Sequence, residues 1–409
     1  MISFTAPLAL LAATLTALAQ GSAPTALTAR VVLESADGAV QVRDARGFDT
    51  RDPRQLGARI VRFEGNPLPL AASSYDDSGV LELEGGDRLF GRVRGGRAEL
   101  LDVEVAGPVH VGVSVDELKS LTFPARVPPA WTAPLAPPSE GDRLYRRQGD
   151  GLDRVDGGVE EFTAEGVRFR GTLGSKLIAW SDVAALFIEG LSRAPTGADA
   201  AKKPDAPAPV VVDLVDHSRL RGTLKRLTGD ECRLVAKGGA ELAIPASALA
   251  ELTVDDGAIA YLSSLAPASA VDSAPFGDAL GMTWPHRVDR SVTGLPLTAG
   301  GRVWMRGLGV HAPSKLVWKL DGGWKSLRGS VAIDDQVMRL SARGAVVFRI
   351  TVDGKKRWES AVVHGGDAPL AIPSQDLGDA HELALEVVMD GDVCVADRAD
   401  WLDLILLRR

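Results

Sequence analysis

The chain has 409 residues, 45% hydrophobic and 24% charged, with 46 Lys and Arg against 54 Asp and Glu and a formal net charge of −8. That length predicts about two to four domains, the balance excludes a wholly disordered chain, and a mildly acidic protein offers no bulk field to nucleic acid or anionic lipid. Two cysteines, Cys232 and Cys394, are too few for a disulfide scaffold, and 44 Gly with 24 Pro favour turns over long helices.

Residues 8–19 are almost wholly apolar and end in Ala17-Leu18-Ala19, a small-x-small pattern. This predicts a signal peptide over 1–19, cleaved before Gln20, and a secreted or periplasmic product. The segment has no Lys or Arg, and the first basic residue is Arg30. The alternative is an uncleaved membrane anchor; the apolar run is shorter than the roughly 20 residues a spanning helix needs, so cleavage, with no membrane span in the mature chain, is the expectation. After export, Cys232 and Cys394 either pair as a disulfide or remain two buried thiols.

Two stretches rich in Pro and Ala, 124–140 and 193–209, read as extended linkers. The pieces between them resemble one another. Leu118, Val183 and Leu249 occupy the same place in three endings that align without gaps, at spacings of 65 and 66 residues. Each ending reads as a strand, one helical turn started by a polar residue, and a second strand. A weaker relative ends at Ile60-Val61-Arg62-Phe63. The expectation is small SH3-like or Sm-like β-barrels: one or two over 27–123, one over 141–192 and one over 210–256. Their expected role is spacing or contact with protein partners. They carry no aromatic stripe or charge cluster that marks a ligand.

From about Tyr261 the composition changes, and six of the eight tryptophans follow. Val346, Phe348, Ile350 and Val352 face one way, with Val347, Arg349 and Thr351 opposite, and Leu383, Leu385, Val387 and Met389 repeat the pattern with Glu386 on the other face. Asp321-Gly322-Gly323 and Asp353-Gly354 mark tight hairpins. Residues 258–409 therefore read as a β-sandwich or jelly roll. The closing Leu404–Leu407 run reads as a buried final strand.

At these residues a family becomes visible. Arg306-Gly-Leu-Gly-Val-His311-Ala-Pro-Ser314, Val331-Ala-Ile-Asp334-Asp335, Gly344 to Gly354 and Asp397-Arg-Ala-Asp400-Trp401-Leu-Asp403 resemble, in order and spacing, the motifs of the NPCBM family. These are the carbohydrate-binding modules of the glycosyl hydrolase family 98 type. The likeness covers about 258–408. It implies a galactose-binding-like β-sandwich that binds sugar and often calcium. Two positions depart from the pattern: Arg398 stands where a His is common, and Gln336 follows the Asp pair where a Gly is often found.

Candidate ligand-binding residues are His311, Arg306, Trp304, Trp284, Asp334 and Asp335. A neutral imidazole can hydrogen-bond a sugar hydroxyl, or His311 can be a buried structural histidine. Indole faces can stack on sugar C–H patches, or the rings can fill the core, which is the expectation for Trp401. The close-set carboxylates Asp397 and Asp400 are the candidate metal ligands, for calcium. They, and the Asp334–Asp335 pair, could equally cap turns or pair with Arg306 and Arg398. No G-x-S-x-G elbow and no His-x-x-x-His or Cys-x-x-Cys spacing occurs, and His381-Glu382-Leu383 lacks the second His of a zinc protease. The reading is an exported non-catalytic protein whose partner is carbohydrate, a galactose-type sugar or an envelope polysaccharide. Alternatives are a structural or assembly protein without a sugar site, and a targeting subunit of a glycoside hydrolase.

Overall fold

The computed structural model describes residues 30–66, 78–107, 109–189, 207–237, 239–274, 283–391 and 394–408. The expected signal peptide at 1–19 and most of the linker at 193–209 lie outside the described residues. Strands dominate, and the helical elements among the described residues are 3-10 turns of at most five residues. None of them is long and apolar enough to cross a membrane.

Three five-stranded units follow one plan. The first comprises Gly79–Leu83, Arg88–Arg97, Leu100–Val105, Val109–Ser114 and Leu118–Thr122. The second runs from Asp142–Gln148 to Val183–Phe187, and the third from Pro209–Leu214 to Leu249–Val254. In each, neighbouring strands pair antiparallel and the first strand also pairs the last. The long second strand is bulged against the third at the same relative place, Val93/Gly95, Val159/Glu161 and Leu224/Arg226. An extra residue there bends the strand so that so small a sheet curls on itself.

The aligned endings become Val115–Glu117, Trp180–Asp182 and Ala246–Ala248, each a single 3-10 turn followed by Leu118, Val183 or Leu249. Those three side chains are buried in the core, each worth about 1.5–3 kcal/mol of burial. The polar start is not what makes the turn. Its N-cap residues are Ser114, Ala179 and Pro245, and none makes a side-chain capping bond. A reduced unit precedes the three, with strands Arg30–Glu34, Val40–Asp44 and Ile60–Glu64. Its last strand pairs Leu249–Val254 of the third unit, and the first two full units join through Ser120–Thr122 against Ala185–Phe187.

The Pro-rich segment after Thr122 is docked on the second unit instead of standing free. Trp131 meets Tyr145 edge to face at 6.3 Å, and the Tyr145 hydroxyl bonds the backbone of Ala136. Both cysteines are free.

The C-terminal part is a sandwich of two antiparallel sheets. One is ordered Arg287–Val288, Gly307–His311, Arg398–Arg408, Trp324–Ile333, Leu370–Asp376, and Ile259–Tyr261 adds to Arg398–Arg408. The other is ordered Ser269–Val271, Ser314–Lys319, Glu382–Met389, Ala345–Val352, Lys355–Glu359. The alternating residues Val346, Phe348, Ile350 and Val352 face inward. Phe348 meets the fully buried Trp401 edge to face at 5.0 Å, which places Trp401 in the core. Asp353 and Gly354 both have positive φ, as a two-residue hairpin turn of this twist requires.

The sandwich sits directly on the repeats. Ile60 packs with Ile259, Tyr261 and Ile405. Around this apolar patch, Arg62 binds Glu34 and, at 2.7 Å, Glu251, which also accepts from the Tyr261 hydroxyl at 2.7 Å. Arg328 reaches Glu34 at 2.6 Å. A second set alternates in sign: Arg306 to Asp213 at 2.5 Å, Asp213 to Arg219 at 2.7 Å, Arg219 to Asp289 at 2.9 Å. The repeats therefore do not hold the sandwich away on a spacer; they form its seat.

Candidate functional site

His311 ends the strand Gly307–His311, and its cross-strand partner is Arg398. Trp284 reaches the same place from the segment before Arg287. That segment is pinned by two bonds: the Trp284 N–H donates to the Ser273 carbonyl at 2.8 Å, and the Ser273 hydroxyl donates to the Ala312 carbonyl at 3.0 Å. The Trp284 indole then stacks on the His311 imidazole, with centroids 5.3 Å apart and planes 18° apart. The Arg398 guanidinium lies over the indole at 5.7 Å. Trp284 and Arg398 are half-buried and His311 is buried.

The protonation of this trio follows from its contacts. His311 Nδ1 is 2.8 Å from the Ala312 carbonyl. A carbonyl only accepts, so Nδ1 carries the proton and Nε2 is the acceptor. Burial, with Arg398 beside it, holds His311 below the usual imidazole range. The ring is neutral near pH 7, so the trio presents an aromatic face, one imidazole acceptor and a guanidinium that makes no ion pair among the described residues. His286, bonded to Asp272 at 3.0 Å, stands close along the chain.

The other candidates lie elsewhere. Arg306 is five residues before His311 on an extended path, roughly 16 Å at about 3.3 Å per residue. It is 3% exposed, committed to Asp213 and set over the Tyr261 ring at 4.9 Å. Burial between the two halves takes it out of reach of a ligand, so it is an interface residue. Trp304 is buried, donates Nε1 to the Ala299 carbonyl at 3.2 Å and is covered by Arg302 at 3.5 Å. It borders a cavity of about 570 Å³ between the sandwich and the repeats, and does not join His311.

Asp334 is a turn cap. It is fully buried and accepts from Gln336 N, Thr298 N and the Thr298 hydroxyl at 2.8, 3.1 and 3.0 Å. Asp335 fixes the neighbouring hairpin by accepting from Gly301 N at 2.8 Å. The Asp334 carboxylate is spent on buried donors and is not free for a sugar; Asp335 is half-buried and has one oxygen on the exposed Gly301 N–H.

Asp397 and Asp400 do not share a site. Asp400 adjoins Asp334; burial first, and then the charge of Asp334, push its carboxyl well above the usual range. Burial raises Asp334 as well, and because Asp334 holds the hydrogen-bond donors, Asp400 is the member of the pair that is pushed further toward its neutral form. Asp397 instead accepts from Ala345 N at 3.0 Å and has Asp390 as its charged neighbour. Calcium needs six to eight oxygens, and among the described residues no three His, Cys, Asp or Glu side chains gather as a metal group. A cation fits Asp397, whose Oδ2 is buried without a partner, only with oxygens from the backbone. Asp400, beside Asp334, likewise has both carboxyl oxygens buried without a hydrogen-bond partner.

Composition and spacing did not single out Arg398. Its signal lay in the closing motif, where it takes the place of a common His, but its register opposite His311 is a long-range fact.

Residues 259–407 match the model of the NPCBM/NEW2 domain. Over 126 residues the chain is 32% identical to an alpha-1,3-galactosidase B of Akkermansia muciniphila, a match that covers 30% of this chain and 15% of that relative's length. Among solved structures, the CBM51 of Clostridium perfringens GH95 in complex with methyl-galactose is 22% identical, with a TM-score of 0.32, covering 36% of this chain and 99% of that one. The CBM51-2 and INT domains of Clostridium perfringens ZmpB, with GlcNAc, are 21% identical with a TM-score of 0.33, covering 44% and 36%.

Proposed function

We propose that the NPCBM/NEW2 domain at residues 259–407 makes this chain a non-catalytic carbohydrate-binding protein, with sugar held at Trp284, His311 and Arg398. The observation that carries this reading is the convergence on one strand end of the half-buried indole, the neutral imidazole and a guanidinium that makes no ion pair among the described residues. A sugar ring needs an apolar face for its C–H patch and donors and acceptors for its hydroxyls. Arg398 supplies donors and His311 Nε2 an acceptor. One stacked ring and a few hydrogen bonds suit millimolar to micromolar affinity, about −4 to −8 kcal/mol.

The likeness to an alpha-1,3-galactosidase supports galactose-type sugars as the first class to test. Calcium, where bound, belongs to Asp397. Export through the 1–19 segment brings the protein to extracellular or envelope polysaccharide. The repeats seat the sandwich rigidly and leave their outer faces for protein partners. A glycan array probed with the full chain and with Arg398→Ala tests this. Binding to galactose-terminated glycans that is lost in the variant supports the reading; a wild-type array without signal, from folded protein, refutes it.

A further inference from the structure

We propose that the junction of the first repeat, the third repeat and the sandwich binds an acidic saccharide through its oxyanion, the carboxylate of a uronic acid or a sulfate ester. The junction encloses a cavity of about 350 Å³, within the range of small-ligand pockets. It is separate from the Trp284 surface, and the proposal goes beyond the sugar reading given for that surface.

Two guanidinium groups converge there on one ring. Arg88 lies 5.1 Å from the Phe90 centroid and Arg290 4.9 Å. Like charges gathered on one side chain repel unless an anion joins them. Arg290 makes no hydrogen bond or ion pair among the described residues. Its acidic neighbours are already engaged: Asp289 accepts from Gly307 N at 3.0 Å and from Arg219, and Asp216 from Ala106 N at 2.5 Å and Ser218 N at 2.9 Å. Arg88 has Glu82 at 3.7 Å on the exposed side, while its Nε is buried without an acceptor. Asp87, also on the wall, takes Arg221 N at 2.9 Å and Arg221 Nη1 at 2.6 Å.

His217 completes the set. It sits at the turn between Pro209–Leu214 and Arg219–Thr228 with φ of 69°, a left-handed conformation in which His is enriched. Its Nε2 is buried with no partner. Burial drops its pKa to about 3, so it is neutral and offers one donor or acceptor without adding charge. An oxyanion that enters this pocket gains charge-assisted hydrogen bonds from the guanidinium groups that line it; His217 meets a neighbouring hydroxyl. The rim carries the exposed Glu84 and Lys119, of opposite sign.

The test is calorimetric titration of the full chain at low salt with glucuronate, galactose 6-sulfate, inorganic sulfate and galactose. The expected result is saturable binding of an acidic sugar, tighter than inorganic sulfate, unchanged in Trp284→Ala and weakened at least about tenfold in Arg290→Met and in Arg88→Gln. Arg290→Met should also melt higher than wild type without ligand, because it removes an unpaired cation. No binding of either acidic sugar overturns the proposal, as does binding that survives both arginine variants or disappears in Trp284→Ala. Equal affinity for inorganic sulfate overturns the saccharide assignment. Loss of galactose binding alone, with acidic-sugar binding kept, bears on the Trp284 reading and supports two separate sites.

Discussion

Replacing Arg306 by Met tests whether the two halves of the molecule are one cooperative body. Arg306 and Asp213 are 3% and 1% exposed, so water cannot take the place of the lost guanidinium. Removing one member of a buried pair costs about 3–5 kcal/mol. Asp213 keeps Arg219 at 2.7 Å, which argues for the lower end, about 3 kcal/mol. The stacked Tyr261 contact adds roughly 0.5–2 kcal/mol. For a unit of 150–250 residues the total of about 3.5–5 kcal/mol lowers the melting temperature by roughly 7–20 °C. Urea melts of wild type, Arg306→Met, Asp213→Asn and the double variant give the coupling directly, and about 2 kcal/mol is expected. A single variant within about 0.5 kcal/mol of wild type, or additive effects across the cycle, would refute a cooperative interface.

Asp400→Asn tests the raised carboxyl pKa. A carboxyl whose folded pKa is raised binds its proton more tightly when folded, so its contribution to stability is full below the unfolded carboxylate range and is lost as pH rises toward the folded pKa. The amide does not titrate, so the variant should gain stability relative to wild type as pH is raised from 5 to 8. A stability difference that does not change with pH would contradict this. A thiol reagent under native conditions should modify Cys394, which is half-buried, and spare Cys232, whose thiol burial pushes up to about 12; modification of both residues at the same rate would show that the core around Cys232 opens.

The local parts of the fold were legible in the sequence. Leu118, Val183 and Leu249 mark equivalent positions because each must be buried after a one-turn reversal, and that need leaves an apolar signal at a fixed spacing. The alternating runs of the sandwich are legible for the same reason. What the sequence hid was pairing between distant segments. The bulges in the second strands have no common residue. Asp213 and Arg306 are ordinary polar residues until the third repeat meets the sandwich, so Arg306 within a family signature read as a ligand contact. Asp334 read as a ligand contact because its partners, Thr298 and Asp400, come from other strands. Of the sugar candidates, His311 and Trp284 met as neighbours. The third member, Arg398, stood in the closing motif as a departure from pattern, and only the cross-strand register gives it a role.

The most direct measurement is calorimetric titration of the full chain with galactose-type sugars, in wild type and in Trp284→Ala. The account predicts saturable heat in the millimolar to micromolar range that the variant abolishes while its melting curve stays near that of wild type. Binding that persists in a folded Trp284→Ala protein would contradict the placement of the sugar at the Trp284, His311 and Arg398 surface.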